Sequence, residues 1–356
     1  MPTFSVRLEP LGRTILVEAG RPILEAALGA GINLPHSCKS GHCSSCRALL
    51  RAGEIAYPRD QRPAGLTEAE AAAGRVLLCQ ARARSDLVVE ARTVFRAGSG
   101  VAASGREEIE IRRLPCRIDE KRLLAPDVLQ LWLRLPAVEP LPFRAGQYLD
   151  ILLEGGRRRS FSIASPPHDA ARLELHVRRA PGSGFTAALF DAMPVGTLLR
   201  IEGPIGQFVY EPSDAPLLLV AGGTGFAPLK SILRQVLEVE RAARPLRLYW
   251  GVRTPADAYE AALLREWCAR HPPLRCTIVT SEPGTAGAAP RDEATLQWRA
   301  GWVHEVAAVE LGAALAAHDV YVAGPPALVE AVRAAYPARG VAPERIRFDS
   351  FDYAPR

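Results

Sequence analysis

Apolar and polar residues alternate from the start of the chain. TFSVRLEP (3–10) and TILVEAG (14–20) read as two strands turning around Leu11-Gly12. RPILEAALGAG (21–31) then changes to helical spacing, with Pro22 near its start and a glycine at its end, and LVVEART (87–93) returns to a strand pattern. Six further strand-like runs follow between Ile109 and about Tyr210: IEIRRLPCRI, VLQLWLRL, QYLDILL, RSFSIAS, LELHVRR and TLLRIEGP. Short strands at this spacing predict a closed antiparallel barrel. From Ala215 strands alternate with helices: PLLLVAGG with PLKSILRQVLEV, LRLYWGV with DAYEAALLREW, then RCTIVTSE, and VYVAGP with PALVEAVRAAY. That alternation predicts a parallel sheet covered by helices. Between the first group and the barrel lies RAGSGVAASGRE (96–107), rich in Gly, Ser and Ala without apolar periodicity, which reads as a flexible linker. The expected organisation is a small unit over 1–95, the linker over 96–107, a barrel domain over 108–212 and an α/β domain over 213–356.

A length of 356 residues suits two or three domains. A mean hydropathy of +0.01 and a 23% charged content exclude disordered and fibrous classes. The longest uncharged apolar stretch, Ala215 to Leu229, has 15 residues and is broken by three glycines and two prolines, too few residues for a membrane span. The N-terminus carries charges where a signal peptide needs an apolar core, so a cytoplasmic location is expected. The net charge of +5 comes from scattered arginines, and no nucleic-acid partner is expected.

Seven cysteines in a cytosolic chain point to metal or catalysis rather than disulfides. Cys38, Cys43 and Cys46 form C-x4-C-x2-C, and Cys79 follows in LLCQ; this is the plant-type spacing for a [2Fe-2S] cluster. Three thiolates on one loop must converge on two irons, and Ser37, Ser40, Gly41, Ser44 and Ser45 let backbone amides approach the sulfurs. Structural zinc is the competing reading, although only Cys43 and Cys46 form a CxxC pair. His36 and His42 read as loop residues, and Cys116, Cys268 and Cys276 as core residues or inert surface thiols.

A second candidate site is Arg159-Ser160-Phe161-Ser162, which would by itself also fit an ordinary strand with alternating faces. Arg suits bidentate phosphate recognition. Downstream, Gly182-Ser183-Gly184-Phe185-Thr186 precedes a helix pattern whose free amides favour a phosphate. A third site, Gly222-Gly223-Thr224-Gly225-Phe226-Ala227-Pro228, follows the apolar strand Pro216 to Val220 and places Pro228 at the expected first helical position. Gly324-Pro325 in YVAGPPALVEAV ends another apolar strand.

Taken together, the Arg-x-Phe-Ser strand, the two glycine loops and the cysteine spacing resemble the ferredoxin–NADP reductase superfamily, in its single-chain form with an N-terminal plant-type ferredoxin domain. The resemblance implies a β-grasp ferredoxin domain, an antiparallel flavin-binding β-barrel and a parallel α/β nucleotide-binding domain. It implies that Arg159 meets the FAD pyrophosphate, that Phe161 lies against the isoalloxazine and that Ser162 faces flavin N5. Gly182, Gly184, Phe185 and Thr186 would complete the FAD site, while Gly222, Gly223, Thr224, Gly225, Pro228, Gly324 and Pro325 would hold the nicotinamide dinucleotide. Ser162 and Phe351, the latter in the terminal DSF, would be the catalytic pair. The family usually has Cys before Gly324, and here it is Ala323, which implies intact binding and slower hydride transfer.

Electrons would pass from NADH to FAD to the [2Fe-2S] cluster and on to an acceptor protein, either a deoxysugar dehydrase or an oxygenase component. NADPH is the less favoured donor, because Ser281 is followed by Glu282, whose carboxylate would repel a 2′-phosphate; Arg253 is the counter-argument. No 2-His-1-carboxylate or Glu-x-x-His pattern occurs, so oxygen chemistry would belong to another chain. Residues 1–95 carry 12 Lys/Arg against 9 Asp/Glu, so this domain lacks the acidic character of many plant-type ferredoxins.

Overall fold

A computed structural model describes residues 2–32, 34–36, 39, 41, 46–91, 109–169, 172–180, 182, 184–282, 292 and 296–351. The linker expected over 96–107 lies outside them, as do Cys38 and Cys43. The chain forms two compact units, Met1–Arg112 with Gly203–Gln207, and Arg113–Glu202 with Phe208–Arg356.

In the first unit, β1 (Thr3–Glu9) and β2 (Arg13–Glu18) make the expected antiparallel hairpin, with Val6 opposite Ile15. Alternation puts Val6, Leu8, Ile15 and Val17 into the core. Helix α1 (Ile23–Gly29) starts after Pro22 and buries Ile23, Leu24, Ala26, Ala27 and Leu28. The chain continues through β3 (Arg47–Ala52), β4 (Ile55–Ala56), α2 (Glu68–Ala72), β5 (Arg75–Leu77), β6 (Arg82–Ala83) and β7 (Leu87–Glu90). The main sheet has the order β2-β1-β7-β3-β5, with β7 parallel to β1, which is the β-grasp arrangement. Strands β3 to β6 carry no alternation long enough to read from sequence and exist through their pairings. Helix α2 is started by a reciprocal cap between Thr67 and Glu70.

The second unit begins with the barrel: β8 (Arg112–Ala125), β9 (Val128–Arg134), β10 (Tyr148–Leu152), β11 (Arg158–Ser162), β12 (Arg172–Arg178), α3 (Gly184–Asp191) and β13 (Leu198–Ile205). All six expected strands are present, in the order β11-β10-β13-β8-β9-β12. The ring closes where Ile163 bridges Leu175 and the Ala164 N–H donates to the Glu174 carbonyl at 2.8 Å. Leu173, Leu175 and Val177 of β12 fill the barrel core, as alternation predicts. Their outward neighbours Glu174 and His176, which alternation would send to solvent, are buried as well.

The remainder is the α/β layer: β14 (Leu217–Gly222), α4 (Phe226–Arg234), β15 (Leu246–Val252), α5 (Ala261–Arg270), β16 (Leu274–Thr280), β17 (Leu296–Ala300), α6 (Val303–Leu311), β18 (Asp319–Gly324), α7 (Pro326–Ala335) and β19 (Ile346–Ser350). The sheet is parallel throughout, in the order β17-β16-β15-β14-β18-β19. Strand order reverses between β14 and β18, and the loops leaving the carboxyl ends of those two strands are the two glycine motifs. A crevice at such a switch point is where open α/β sheets bind ligands. Strands β17 and β19 were not evident from sequence; both are short sheet edges whose extended form comes from parallel pairing with β16 and β18.

Candidate functional site

Cys46 and Cys79 arrive from separate segments and are both buried. The Leu78 N–H donates to the Cys46 carbonyl at 3.1 Å, which sets the two cysteines side by side in the chain trace. Tyr57 has its hydroxyl pushed above the usual range, chiefly by burial, with further contributions from the thiols of Cys46 and Cys79; its oxygen accepts from the Leu77 N–H at 3.2 Å. Gly41 has φ +83°, and a Cβ there would lie 2.9 Å from Gln80 Cγ and 3.0 Å from Pro63 Cβ. Gln80 in turn donates to the Lys39 carbonyl at 2.9 Å, so the loop carrying the first cysteines is stitched to the segment beside Cys79. His36 is buried, with Nδ1 2.6 Å from the Leu34 carbonyl oxygen, and serves the loop's own structure. The described part of this pocket, two buried thiols on converging segments, fits thiolate ligation. Of the two expectations for the three isolated cysteines, the structure bears out the core: all are buried, burial pushes Cys116 up to about 12, and burial together with a bond to Cys268 pushes Cys276 well above its ordinary value.

On β11 the pleat puts Arg159 and Phe161 on one face and Ser160 and Ser162 on the other. The Arg-x-Phe-Ser motif picks Arg159 from the three consecutive arginines 157 to 159, and the structure shows what each of them meets. Arg158 is bonded to Glu202 and lies 3.8 Å from Asp150, both buried acids. Arg159 donates Nη1 to the Arg158 carbonyl at 3.0 Å and faces no carboxylate among the described residues. Arg157 likewise donates only to a carbonyl, that of Glu154 at 3.3 Å, so Arg158 is the one of the three committed to carboxylates among the described residues. Phe161 and Phe185 stand 6.3 Å apart, centroid to centroid, and join the β11 motif to the start of α3. Thr186 is buried and accepts from the Ala180 N–H at 3.1 Å, pinning the turn that contains Gly182, whose φ is +71°. Ser160 donates to Asp150. Ser162 Oγ lies 3.4 Å from Asp349 Oδ2 on β19.

The two glycine motifs touch. A Cβ on Gly225 would fall 2.0 Å from the Ala323 carbonyl oxygen, and one on Gly222 would fall 2.9 Å from Pro325 Cδ. Gly324, at φ +155°, lies against Gly222. The Phe351 N–H donates to the Gly324 carbonyl at 3.2 Å, which brings the terminal DSF to the same place. Pro228 is not the first helical residue as expected: α4 begins at Phe226, making Pro228 its third residue. The ring costs no hydrogen bond there because the first four N–H groups of a helix have no intrahelical acceptor. Trp250 Nε1 donates to the Gly223 carbonyl at 2.9 Å and stacks on Phe226 at 4.7 Å.

Arg178, which nothing in the sequence singled out, ends β12 beside this loop. Its Nη1 would lie 3.6 Å from a Cβ on Gly223, its Nε is 3.3 Å from Asp127 Oδ2, and its buried Nε and Nη2 have no hydrogen-bond acceptor among the described residues. A close-packed glycine turn with an underused guanidinium at its rim suits a dinucleotide's phosphates. At the end of β16, the Ser281 N–H donates to the Val252 carbonyl and the Glu282 N–H to the Arg253 carbonyl; Arg253 Nη2 is 3.5 Å from Asp257 Oδ1.

Three family profiles match in the same order: a 2Fe-2S iron-sulfur cluster binding domain over 6–84, an oxidoreductase FAD-binding domain over 115–210 and an oxidoreductase NAD-binding domain over 219–334. Along its whole length the chain is 32% identical, over 349 residues, to the CDP-6-deoxy-L-threo-D-glycero-4-hexulose-3-dehydrase reductase of Yersinia pestis, covering 98% of each chain. The chain belongs to the ferredoxin–NADP reductase-type iron–sulfur flavoproteins. Another member of this group, reductase component 2 of a Comamonas terephthalate 1,2-dioxygenase, is 36% identical over 341 residues, with 94% of each chain covered. Among solved structures, an Amycolatopsis cytochrome P450 reductase superposes with a TM-score of 0.76 at 33% identity, covering 98% of this chain and 99% of the other. The resemblance to CDP-6-deoxy-delta-3,4-glucoseen reductases, carried by NLPHSCKSGHCSSC, RRSFSIASPPHD and LELHVRRAPGSGFT, agrees with the first of these relatives. The protein is an NAD(P)H-dependent oxidoreductase, an iron–sulfur flavoprotein reductase with domains for a [2Fe-2S] cluster, FAD and a nicotinamide dinucleotide. No helix among the described residues is long and apolar enough to cross a membrane.

Proposed function

We propose that this reductase takes electrons from NADH and delivers them singly to a separate acceptor protein, a deoxysugar dehydrase of the kind served by CDP-6-deoxy-delta-3,4-glucoseen reductases. The observation that carries this choice is the agreement of the NLPHSCKSGHCSSC, RRSFSIASPPHD and LELHVRRAPGSGFT segments with the end-to-end match to the Yersinia dehydrase reductase. A second reading, the reductase component of an aromatic oxygenase, is favoured by the higher identity to the Comamonas component.

Bound FAD supplies the exchange of one hydride, which carries two electrons, for two single electrons. Arg159 binds the flavin diphosphate, a role supported by its facing no carboxylate among the described residues; Phe161, Phe185 and Thr186 shape the pocket, and Gly182 and Gly184 admit the phosphate-bearing part. Ser162 orients the flavin edge, and its approach to Asp349 keeps that hydroxyl directed toward the terminal DSF, where Phe351 shields the reacting face. Gly222, Gly223, Thr224, Gly225, Pro228, Gly324 and Pro325 hold the dinucleotide, with Arg178 at the rim. Cys38, Cys43, Cys46 and Cys79 are the four cluster ligands, and a cytosolic setting keeps their thiolates reduced and available. A preference for NADH rests on Glu282, and it is supported by Arg253 being drawn toward Asp257. We place the boundaries of the three domains at 1–95, 108–212 and 213–356.

The test is anaerobic. With NADH and the purified reductase, an iron–sulfur sugar dehydrase and the oxygenase component of a terephthalate-type system are each mixed as acceptor, and the rate of acceptor reduction is followed. Reduction of the dehydrase at least tenfold faster supports the first reading; the reverse order replaces it with the second.

A further inference from the structure

The outward residues of β12 are buried by a polar network the reaction has not yet used. Lys230, on the second turn of α4, places its ammonium 2.8 Å from Glu174 Oε1 of the barrel and 2.9 Å from Glu260 Oε1, the residue before α5. Glu174 Oε1 also accepts from Gln130 of β9 and lies 3.0 Å from His176 Nε2; His176 Nδ1 is 3.1 Å from the Tyr259 hydroxyl. Lys230, Glu174, Glu260 and His176 are all buried. Burial works to raise the Glu174 carboxyl, but the bond and charge of His176 and the charge of Lys230 outweigh it and hold the acid well below the usual carboxylate range. The two glutamates and the histidine would suit a metal ion by donor type, yet the Lys230 ammonium already stands between the carboxylates as their cation.

The next residue adds a second tie. Ser231 Oγ donates to the Ser165 carbonyl at 2.7 Å, and Ser165 Oγ accepts from the Glu174 N–H at 3.1 Å. Ser165 is three residues beyond Ser162 of the β11 motif. Two adjacent side chains of α4 are thus fastened to β12 and to the segment just beyond β11, where the ring closes. Above them, the His176 ring lies 6.2 Å from that of Phe226, the first residue of α4, which stacks on the Trp250 that holds the Gly223 carbonyl. The network therefore supports the glycine loop from beneath.

We propose that Lys230 is a positioning residue for hydride transfer: by joining Glu174 of the barrel to Glu260 of the nucleotide layer, it sets where the Gly222–Pro228 loop stands relative to Ser162. Its place in the fold carries this assignment. Replacing a buried ion pair by well-packed apolar residues is often neutral or stabilising, so net stability is weak grounds for keeping this network. Displacing reacting groups by about 1 Å can cost about a hundredfold in rate. The proposal rests on the reading that the glycine loop holds the nicotinamide and the β11 motif the flavin.

The test uses full-length FAD-loaded protein. Lys230→Met should lower the saturating rate constant of flavin reduction by NADH tenfold to a hundredfold in stopped flow, with half-saturating NADH changed less than threefold and FAD content unaltered. Amide exchange in residues 222–234 should quicken at least tenfold, in FAD-loaded and FAD-stripped protein alike. Lys230→Arg, which keeps the cation, should stay within threefold of the unaltered chain on both measures. Should Lys230→Met fail to fold, Lys230→Met/Glu174→Gln removes one charge of each sign and Ser231→Ala removes only the second tie; both should show the same split between rate and half-saturation. A variant that melts earlier but reduces flavin at the unaltered rate overturns the proposal and leaves the network a purely structural one. If the unaltered, FAD-loaded chain itself fails to oxidise NADH, the reading of the two loops falls, and the proposal with it.

Discussion

Replacing Gly225 with alanine tests the glycine loop by steric means alone. The position has φ −58°, so alanine meets no backbone strain; what opposes it is space, because the new Cβ would fall 2.0 Å from the Ala323 carbonyl oxygen, 2.5 Å from its carbon and 2.9 Å from Gly324 Cα. An ordinary contact needs about 3.4 Å, so the loop and the end of β18 must separate by about 1.4 Å, and all the opposing atoms are backbone that cannot rotate away. Overpacking of this kind costs about 1 to 3 kcal/mol. For a unit of this size that corresponds to a fall in melting temperature of about 2 to 12 °C. The functional effect should be larger, since a shift of about 1 Å in the loop we assign to the nicotinamide can slow hydride transfer by about a hundredfold. Differential scanning fluorimetry and anaerobic stopped-flow flavin reduction measure the two effects on the same sample. Gly184→Ala is the control for stability in FAD-stripped protein: it has no positive φ and nothing within 4 Å of its Cβ, so its melting temperature there should not move. A Gly225→Ala protein with unchanged melting and unchanged flavin reduction would refute the packing argument and the assignment of the loop together.

Arg159→Ala should weaken FAD retention by about 2 to 5 kcal/mol, the loss expected when a desolvated charge partner is removed, and normal flavin content after extensive dialysis would count against the assignment. Cys79→Ser should abolish the visible absorption of the cluster while leaving that of the flavin, because Cys79 is the fourth thiolate in the plant-type spacing; an intact cluster in that variant would defeat the ligand set. NADH should exceed NADPH in kcat/KM, and Glu282→Ala should narrow the gap by removing the carboxylate that repels a 2′-phosphate. Equal values for the two donors in the unaltered protein would remove the basis for that preference.

Much of the architecture could be read from local pattern because the physics that forms it is local. Period-two alternation in TFSVRLEP and VLQLWLRL decides which side chains can be buried together once a strand forms, and the C-x4-C-x2-C run must bend back on itself for its thiols to share a cluster. The glycines before α4 were legible for the same reason: an apolar strand that breaks into GGTG and then helical spacing has few conformations open to it. Short edge elements such as β17 and β19 escaped notice because their own residues do not prefer extension strongly; a parallel neighbour supplies the hydrogen bonds.

What only the tertiary structure decided is the identity of partners. Of the consecutive arginines 157 to 159, Arg158 is engaged by Glu202, which comes 44 residues later, while Arg159 faces no carboxylate among the described residues. Glu174 and His176 occupy outward positions that alternation assigns to solvent, and they are buried only because α4 and Glu260 close over them. Arg178 is one of 44 basic residues until β12 ends beside Gly223. In each case the energy of a charged side chain depends on what desolvates it and what neutralises it, and those groups come from elements far apart in the chain. The sequence by itself therefore determined the order of domains, the thiolate spacing and the glycine loops, while the packing of barrel against nucleotide layer determined which charges remain available for ligands and which are committed to holding the two layers in register.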